Sequence, residues 1–566
     1  MAKTLLKSGN IVNVFTGEVE KANVLLSDDK IVGVGMYADE DADVVLDVDG
    51  KYICPGFIDG HIHIESTMLS PAEFARVVVP HGTTSVVADP HEIANVCGCD
   101  GIRYMLEAGE SLPLSVYMVL PSCVPATPFC ESGAVLEAEE LEVFYEHPGV
   151  VGLGEVMNYI GVMKGDEKLL HKIADAQKHG AVVNGHAPLL TGMDLDMYLA
   201  TGIGDDHECS SAEEAKERIR KGQRVMIRQG TAARNLEALL PLFEEPWCKR
   251  CLLVTDDKHP ADLLSKGHID DMIRMAVWHG KSAVTGIQMA TIQAAEYFGL
   301  SKVGAIAPGY TADILVLEDL ESIFVTDVFC KGKHVVCDGE LEEFEKPKVS
   351  DKLEQTVRNS FHMEALRAED FTIDCKGHRK CRVIGLIRKE LLTEEKFFDI
   401  NFDSANGIDL ERDILKLAVV ERHRNTGHKG VGLINGAGLK HGAIASSVSH
   451  DSHNLIIIGT NEADMAVAGN RLRQLGGGLV AVCDGKVVSE LALPIAGLMT
   501  DLNAAEVSEL NEEVRAAAHG LGVPIGQEIF MTMAFVSLPV IPHLKMTTNG
   551  LVDVNRQELV SLFADM

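Results

Sequence analysis

Apolar and polar positions alternate with a period of two in short stretches of the first 55 residues, as in NIVNVF, ANVLLS and KIVGVG, with Gly and Asp turn signals between them. That pattern predicts antiparallel strands. The same texture returns in TADILVLEDLESIFVTDVFCKGKHVV, residues 311–336. Residues 1–55 and 305–345 are therefore expected to form one β-sandwich domain, split by everything between them. In the intervening residues 56–304, apolar strands alternate with amphipathic helices, as in a parallel sheet covered by helices. The candidate strands are FIDGHIHI, TTSVVADPH, LSVYMVLPS, VVGLGEVMN, AVVNGHAPL, GIGDDHECS, RVMIRQG and CLLVTDD. Eight is the number a TIM-like (β/α)8 barrel requires. Helix starts are readable too, with Ser211-Ala-Glu-Glu opening EEAKERIRKG in the manner of a capping box.

The acidic stretch ELEEFEKPKVSDKLEQ, around residues 340–355, interrupts both patterns and reads as a linker. Beyond it, residues 346–566 mix helix, as in NEADMAVAGNRLRQLGGG, with strands such as NLIIIGT and GGLVAVCDGKVVSEL. The fold class expected is α/β: a TIM-like barrel with a split N-terminal β-sandwich domain and an additional C-terminal α+β domain.

Composition narrows what such a chain can do. A length of 566 residues leaves room for a barrel with appendages. The formal net charge of −33 argues against non-specific binding to nucleic acid or to an anionic membrane, because phosphate binding needs clustered Lys and Arg. A small neutral or cationic substrate suits it. MAKTLLKSGN runs straight into strand-like sequence, and no apolar run reaches the roughly 18 residues of a membrane span, so a cytoplasmic location is expected. The 13 cysteines are odd in number and scattered, which points to free thiols; Cys248-Lys-Arg-Cys251 lacks the second pair that a zinc knuckle needs.

The chemistry lies at the strand ends. His61, His63, Glu155, His186, His207 and Asp256 all fall at the C-terminal ends of predicted strands, which form the catalytic face of a TIM barrel. In His61-Ile62-His63 the period of two sets both imidazoles on one side of the first strand, where they can chelate one ion. One such histidine is most often structural. Six imidazoles and carboxylates gathered without a metal, however, would leave costly buried polar groups unpaired.

These residues resemble the amidohydrolase superfamily, with its H-x-H after strand 1, bridging ligand after strand 4, histidines after strands 5 and 6 and Asp after strand 8. PGFIDGHIHIEST and PGYTADILVL carry the likeness over residues 1–340. More narrowly, VVADPHEIANVCG, GEVMN, NGHAP, DDHE, RQGTAARNL, VTDDKHP and the C-terminal SHDSHN resemble the bacterial adenine deaminase family. The resemblance implies conversion of adenine to hypoxanthine and ammonia, in purine salvage or adenine catabolism, by a hydroxide activated between two divalent metal ions per chain. Mn2+ or Fe2+ is favoured, and Zn2+ also suits the ligands. It further implies that His61, His63 and Asp256 hold one metal and His186 and His207 the other. Glu155, in Gly152-Leu153-Gly154-Glu155, stands where many relatives carry a bridging carboxylated lysine. A homodimer is expected by the same analogy.

Deamination needs two proton donors. Asp256, beside the hydroxide, is the expected shuttle. Glu65, Asp89, His91 and Glu92 are the candidates for protonating the purine ring, His91 also as a substrate contact; helix capping and loop hydrogen bonding are the alternative roles. Arg228 and Gln229 end the seventh strand, where they can contact substrate or, for Arg228, pair with a carboxylate. His450 and His453 in SHDSHN form either an Asx-type turn or part of a cover, supplied by the C-terminal domain, that closes the barrel mouth over the purine. His63-Ile64-Glu65 matches H-x-E, but no P-C-x-x-C exists, which excludes the zinc nucleobase deaminases of that type. The rival readings are a cyclic amide hydrolase of the dihydropyrimidinase or dihydroorotase kind and a metal-free scaffold with the same barrel.

Overall fold

The structure is a computed structural model that describes residues 3–231, 233–388, 390–403 and 405–564. Two compact units are present. One comprises residues 1–90, 105–122 and 137–348, and the other residues 91–104, 123–136 and 349–566.

In the first unit all eight expected barrel strands form: β1 (Phe57–Ile62), β2 (Thr83–Ala88), β3 (Ser115–Leu120), β4 (Val150–Val156), β5 (Val182–Gly185), β6 (Asp205–Asp206), β7 (Arg224–Arg228) and β8 (Cys251–Val254). β1 to β5 pair in parallel in that order, and so do β6 to β8. Two backbone bonds join the runs into a ring: Gly204 N–H donates to Val183 O and Asp256 N–H to His61 O, both at 2.9 Å. A buried carboxylate reinforces the second seam, since Asp59 Oδ1 accepts the N–H groups of His61 at 3.2 Å and Thr255 at 3.1 Å. Ile58, Val87, Val119, Met226 and Leu252 point inward and pack with Ala294, Ala295 and Phe298. The alternate strand positions thus fill the barrel.

The first and last segments of this unit share one nine-stranded sheet. Its junction is the antiparallel pairing of Tyr52–Pro55 with Ile314–Leu317, in which Ile53 faces Val316. Leu6, Ile11, Val24, Ile53, Ile314, Val316 and Phe329 bury that sheet's apolar side together.

The second unit is built on an eight-stranded sheet. Helix Glu462–Leu475 packs on it through Met465, Ala468 and Leu472, a spacing that keeps one face apolar. Its ends follow from sequence: Asn461 Oδ1 accepts Asp464 N–H at 2.8 Å, and Gly476, at φ 78°, takes the left-handed turn that stops it. The expected linker is shorter than its acidic composition suggests. Residues 342–350 carry no regular element, but Asp351–Arg358 is helical because Leu353 and Val357 bury one i,i+4 edge. Among the described residues no disulfide joins any of the 13 cysteines, and no helix is long and apolar enough to cross a membrane.

Candidate active site

Parallel strands in a closed barrel bring their C-terminal ends to one rim, and all six predicted ligands meet there. His63 Nε2 lies 3.1 Å from Asp256 Oδ1, and His61 Nε2 lies 3.6 Å from the same oxygen. His63 Nε2 is also 3.4 Å from Glu155 Oε1. The other oxygen of Glu155 serves a second group: Oε2 is 2.7 Å from His186 Nδ1 and 3.2 Å from His207 Nε2, and those nitrogens are 3.2 Å apart. Atoms sharing an ion at about 2.0–2.2 Å can be separated by at most about 4.4 Å. Every distance above satisfies that limit. The donor set thus has the spacing and chemistry to hold divalent metal, and Glu155 presents one oxygen to His63 and the other to His186 and His207.

The surroundings fix these groups. His63 Nδ1–H donates to the Asp89 carbonyl at 3.0 Å, which leaves Nε2 as the coordinating nitrogen. Asp89 Oδ2 accepts the backbone N–H of Glu155 at 3.1 Å. Asp256 sits at φ 61°, a left-handed conformation costly for a residue with a side chain and tolerated where the surroundings over-determine it. Burial raises the affinity of Glu155 for a proton, but the charges of His186 and His207 outweigh it and hold the carboxyl well below its usual range. Asp256 behaves alike: burial raises it, while Arg228 and the bonds from His61 and His63 carry it well below. Burial disfavours charge on His186 and His207, yet Glu155 and Glu208 push both upward. The cluster favours positive charge at its centre.

Arg228 and a residue that strand-end reasoning passes over complete this group. Arg228 Nη1 donates to Asp256 Oδ2 and to Glu208 Oε1, both at 2.6 Å. Glu208 Oε1 in turn lies 3.4 Å from His207 Nε2 and 3.7 Å from His186 Nδ1. The run DDHE was the available signal. Gln229 follows Arg228, its backbone N–H bonded to Val254 O at 3.1 Å. Glu65, 3% exposed, occupies the turn directly after the histidine pair.

Asp206, one residue before His207, organises the loops on either side. Its carboxylate accepts the N–H groups of Ala187 and Glu208, both at 2.8 Å, and pairs with the fully buried Arg218 at 3.3 Å. Removing one partner of such a pair strands a buried charge, a loss of about 3–5 kcal/mol. Arg218→Leu is accordingly expected to lower unfolding stability by that amount in denaturant titration; a loss under about 1 kcal/mol would show that the pair contributes little.

In the second unit, Glu92, His91, His450 and His453 form a separate buried cluster. His450 Nδ1 donates to Glu92 Oε1 at 2.7 Å, His453 Nε2 reaches Glu92 Oε2, and His91 Nε2 stands 3.4 Å from Oε1. Distance alone would allow a cation between Glu92, His450 and His453. The tautomer argues otherwise. Ser449 N–H donates to His453 Nδ1 at 3.1 Å, so the ring carries its proton on Nε2 and gives it to Glu92. Burial lowers the His453 pKa to about 3, keeping the ring neutral. Glu92 is ionised: burial opposes this, but the two imidazoles outweigh it and hold its carboxyl well below the usual range.

Two family models match the chain. The adenine deaminase C-terminal domain covers residues 390–558, and the amidohydrolase family covers residues 52–340. Adenine deaminase 2 of Carboxydothermus hydrogenoformans is 47% identical over 560 residues, which is 99% of this chain and 96% of that protein. The chain belongs to the adenine deaminase family. The adenine deaminases of Desulfatibacillum aliphaticivorans and Geobacillus kaustophilus are 45% and 44% identical, over 99% and 100% of this chain and 97% of each of those proteins. Among solved structures, a β-aspartyl dipeptidase from Fervidobacterium islandicum AW-1 aligns with TM-score 0.48 at 17% identity, over 61% of this chain and 98% of that one. A dihydropyrimidinase from Brevibacillus agri aligns with TM-score 0.47 at 16% identity, over 60% and 96% respectively.

Proposed function

We propose that this chain hydrolyses adenine to hypoxanthine and ammonia, and that it does so with two divalent ions, Mn2+ or Fe2+, at the barrel rim. Full-length identity of 44–47% to adenine deaminases carries the substrate. The split of Glu155 between His63 on one side and His186 and His207 on the other supports the pair of ions.

His61, His63 and Asp256 would hold one ion and His186 and His207 the other, with Glu155 between. Bound there, the ions supply the Lewis acidity that makes water a nucleophile near neutral pH. The remaining work belongs to side chains. Water adds to C6 of adenine, so a proton must leave the water and another must reach the departing amino group. Asp256 performs both transfers: it faces the histidine pair through Oδ1, while Arg228 grips Oδ2 and fixes its direction.

The purine ring nitrogen also needs a proton as C6 becomes tetrahedral. We assign that proton to Glu65, which takes back the proton of the C6 hydroxyl as the carbonyl forms and ammonia leaves. Asp89 holds His63 and the Glu155 backbone, and Glu92 accepts from two imidazoles. Glu65→Gln is expected to lower kcat by roughly 10²-fold, the low end for loss of a general acid. Unchanged kcat would return the role to Asp89 or Glu92.

The activity is tested by incubating the Mn2+-loaded protein with adenine and following ammonia release and the ultraviolet shift to hypoxanthine. Turnover of hydantoins or dihydropyrimidines with none of adenine would establish the cyclic amide hydrolase instead.

A further inference from the structure

We infer that Glu208 is a further protein ligand of the second metal ion, the one between His186 and His207, and that Arg228 locks it to the ligand set of the first. This rests on the reading that His186 and His207 hold an ion.

Four donor atoms surround that position. The distances of 3.4 Å from Glu208 Oε1 to His207 Nε2 and 3.7 Å to His186 Nδ1 lie within the roughly 4.4 Å that separates atoms sharing one ion. They are comparable to the 3.2 Å between the two imidazole nitrogens themselves. Glu208 Oε1 also accepts from Arg228 Nη1, but a carboxylate oxygen has two lone pairs and can serve a guanidinium and a cation together.

Charge points the same way. Two mostly buried carboxylates, Glu208 and Asp256, share the guanidinium of Arg228, while Glu155 lies against His186 and His207. Two carboxylates on one guanidinium leave a surplus negative charge on the side of Glu208 that faces His186 and His207, where a cation can balance it. Beside a divalent ion the surplus becomes useful. Arg228 Nη1 has two hydrogens, and each is directed at one carboxylate, so the guanidinium fixes the spacing between a ligand of one ion and a ligand of the other. With two imidazoles and two carboxylates, the second position is harder than one with imidazoles and a bridge alone, which favours Mn2+ and Fe2+ over softer competitors.

The test is calorimetric titration of metal-free protein with Mn2+, for the natural chain and for Glu208→Gln. Glutamine keeps an oxygen for Arg228 but is a poor ligand, so the melting temperature of the metal-free variant should be unchanged. The natural chain should take up two ions, and in the variant the second should bind more than about 100-fold more weakly, beyond the roughly 10–100-fold that loss of an outer partner costs, while the first is unaffected. Two ions bound with unaltered affinity by the variant would overturn this inference alone; fewer than two on the natural chain would overturn the underlying two-ion reading as well. Independently of variant folding, a crystal structure of the Mn2+-loaded natural protein should place a Glu208 oxygen about 2.0–2.2 Å from the second ion. Separation beyond hydrogen-bond reach would contradict it.

Discussion

Glu155→Gln is expected to abolish adenine turnover by emptying the site rather than by unfolding the barrel. The carboxylate spans two groups of nitrogens, with Oε1 at 3.4 Å from His63 Nε2 and Oε2 at 2.7 Å from His186 Nδ1. An anion with two equivalent oxygens can neutralise a cation on each side; an amide has one acceptor, and its NH2 repels whatever cation it faces. Loss of an outer partner already costs about 10–100-fold in metal affinity, and loss of a shared ligand should exceed that at both positions. Elemental analysis of the variant should find well under one ion per chain. If both ions are retained at natural affinity, Glu155 does not bridge them.

Asp256→Asn should behave differently. The change keeps the shape of the side chain and an oxygen for Arg228, so metal content should fall much less than in Glu155→Gln. The proton transfers are lost, and kcat should drop by about 10²–10⁴-fold. KM should change little, because no role in holding the purine is assigned to this carboxylate. Comparable metal content with near-natural kcat would move the proton transfers to another group.

Much of this site is legible in the sequence because a parallel barrel turns position along a strand into position in space. The ligands stand at or just past the C-terminal ends of five of the eight apolar strands, and all eight strands end on one rim. The period of two in His61-Ile62-His63 says that the two rings share a side. Asp256 is legible for the same reason, although its left-handed backbone is not, since no glycine marks the position.

Glu208 escapes that logic. β6 is only two residues long, and Glu208 lies past its end, where no periodicity tells which way a side chain turns. Its role emerges from Arg228, which sequence reading could assign equally to substrate or to a carboxylate, and which in space meets two carboxylates at once. Asp206 is hidden likewise: its partners are backbone N–H groups on two loops and a guanidinium 12 residues on, none of which leaves a local pattern.

The make-up of the second unit was the least readable feature. Residues 91–104 and 123–136 belong to it although they lie in the stretch whose strand and helix rhythm is that of the barrel. Rhythm reports which face of an element is apolar, not which distant segment covers it. Glu92 shows the consequence: beside His91 it reads as a helix cap or an acid, whereas its oxygens are taken by His450 and His453, more than 350 residues later in the chain.

The central claim is that adenine is deaminated at a two-ion site, and stoichiometric reconstitution tests it most directly. Metal-free protein is titrated with Mn2+ while the conversion of adenine to hypoxanthine is followed. Activity should be absent at the start, rise with added metal and level off at two ions per chain. Full activity in the metal-free protein, a plateau at one ion, or no adenine turnover at any loading would contradict the account.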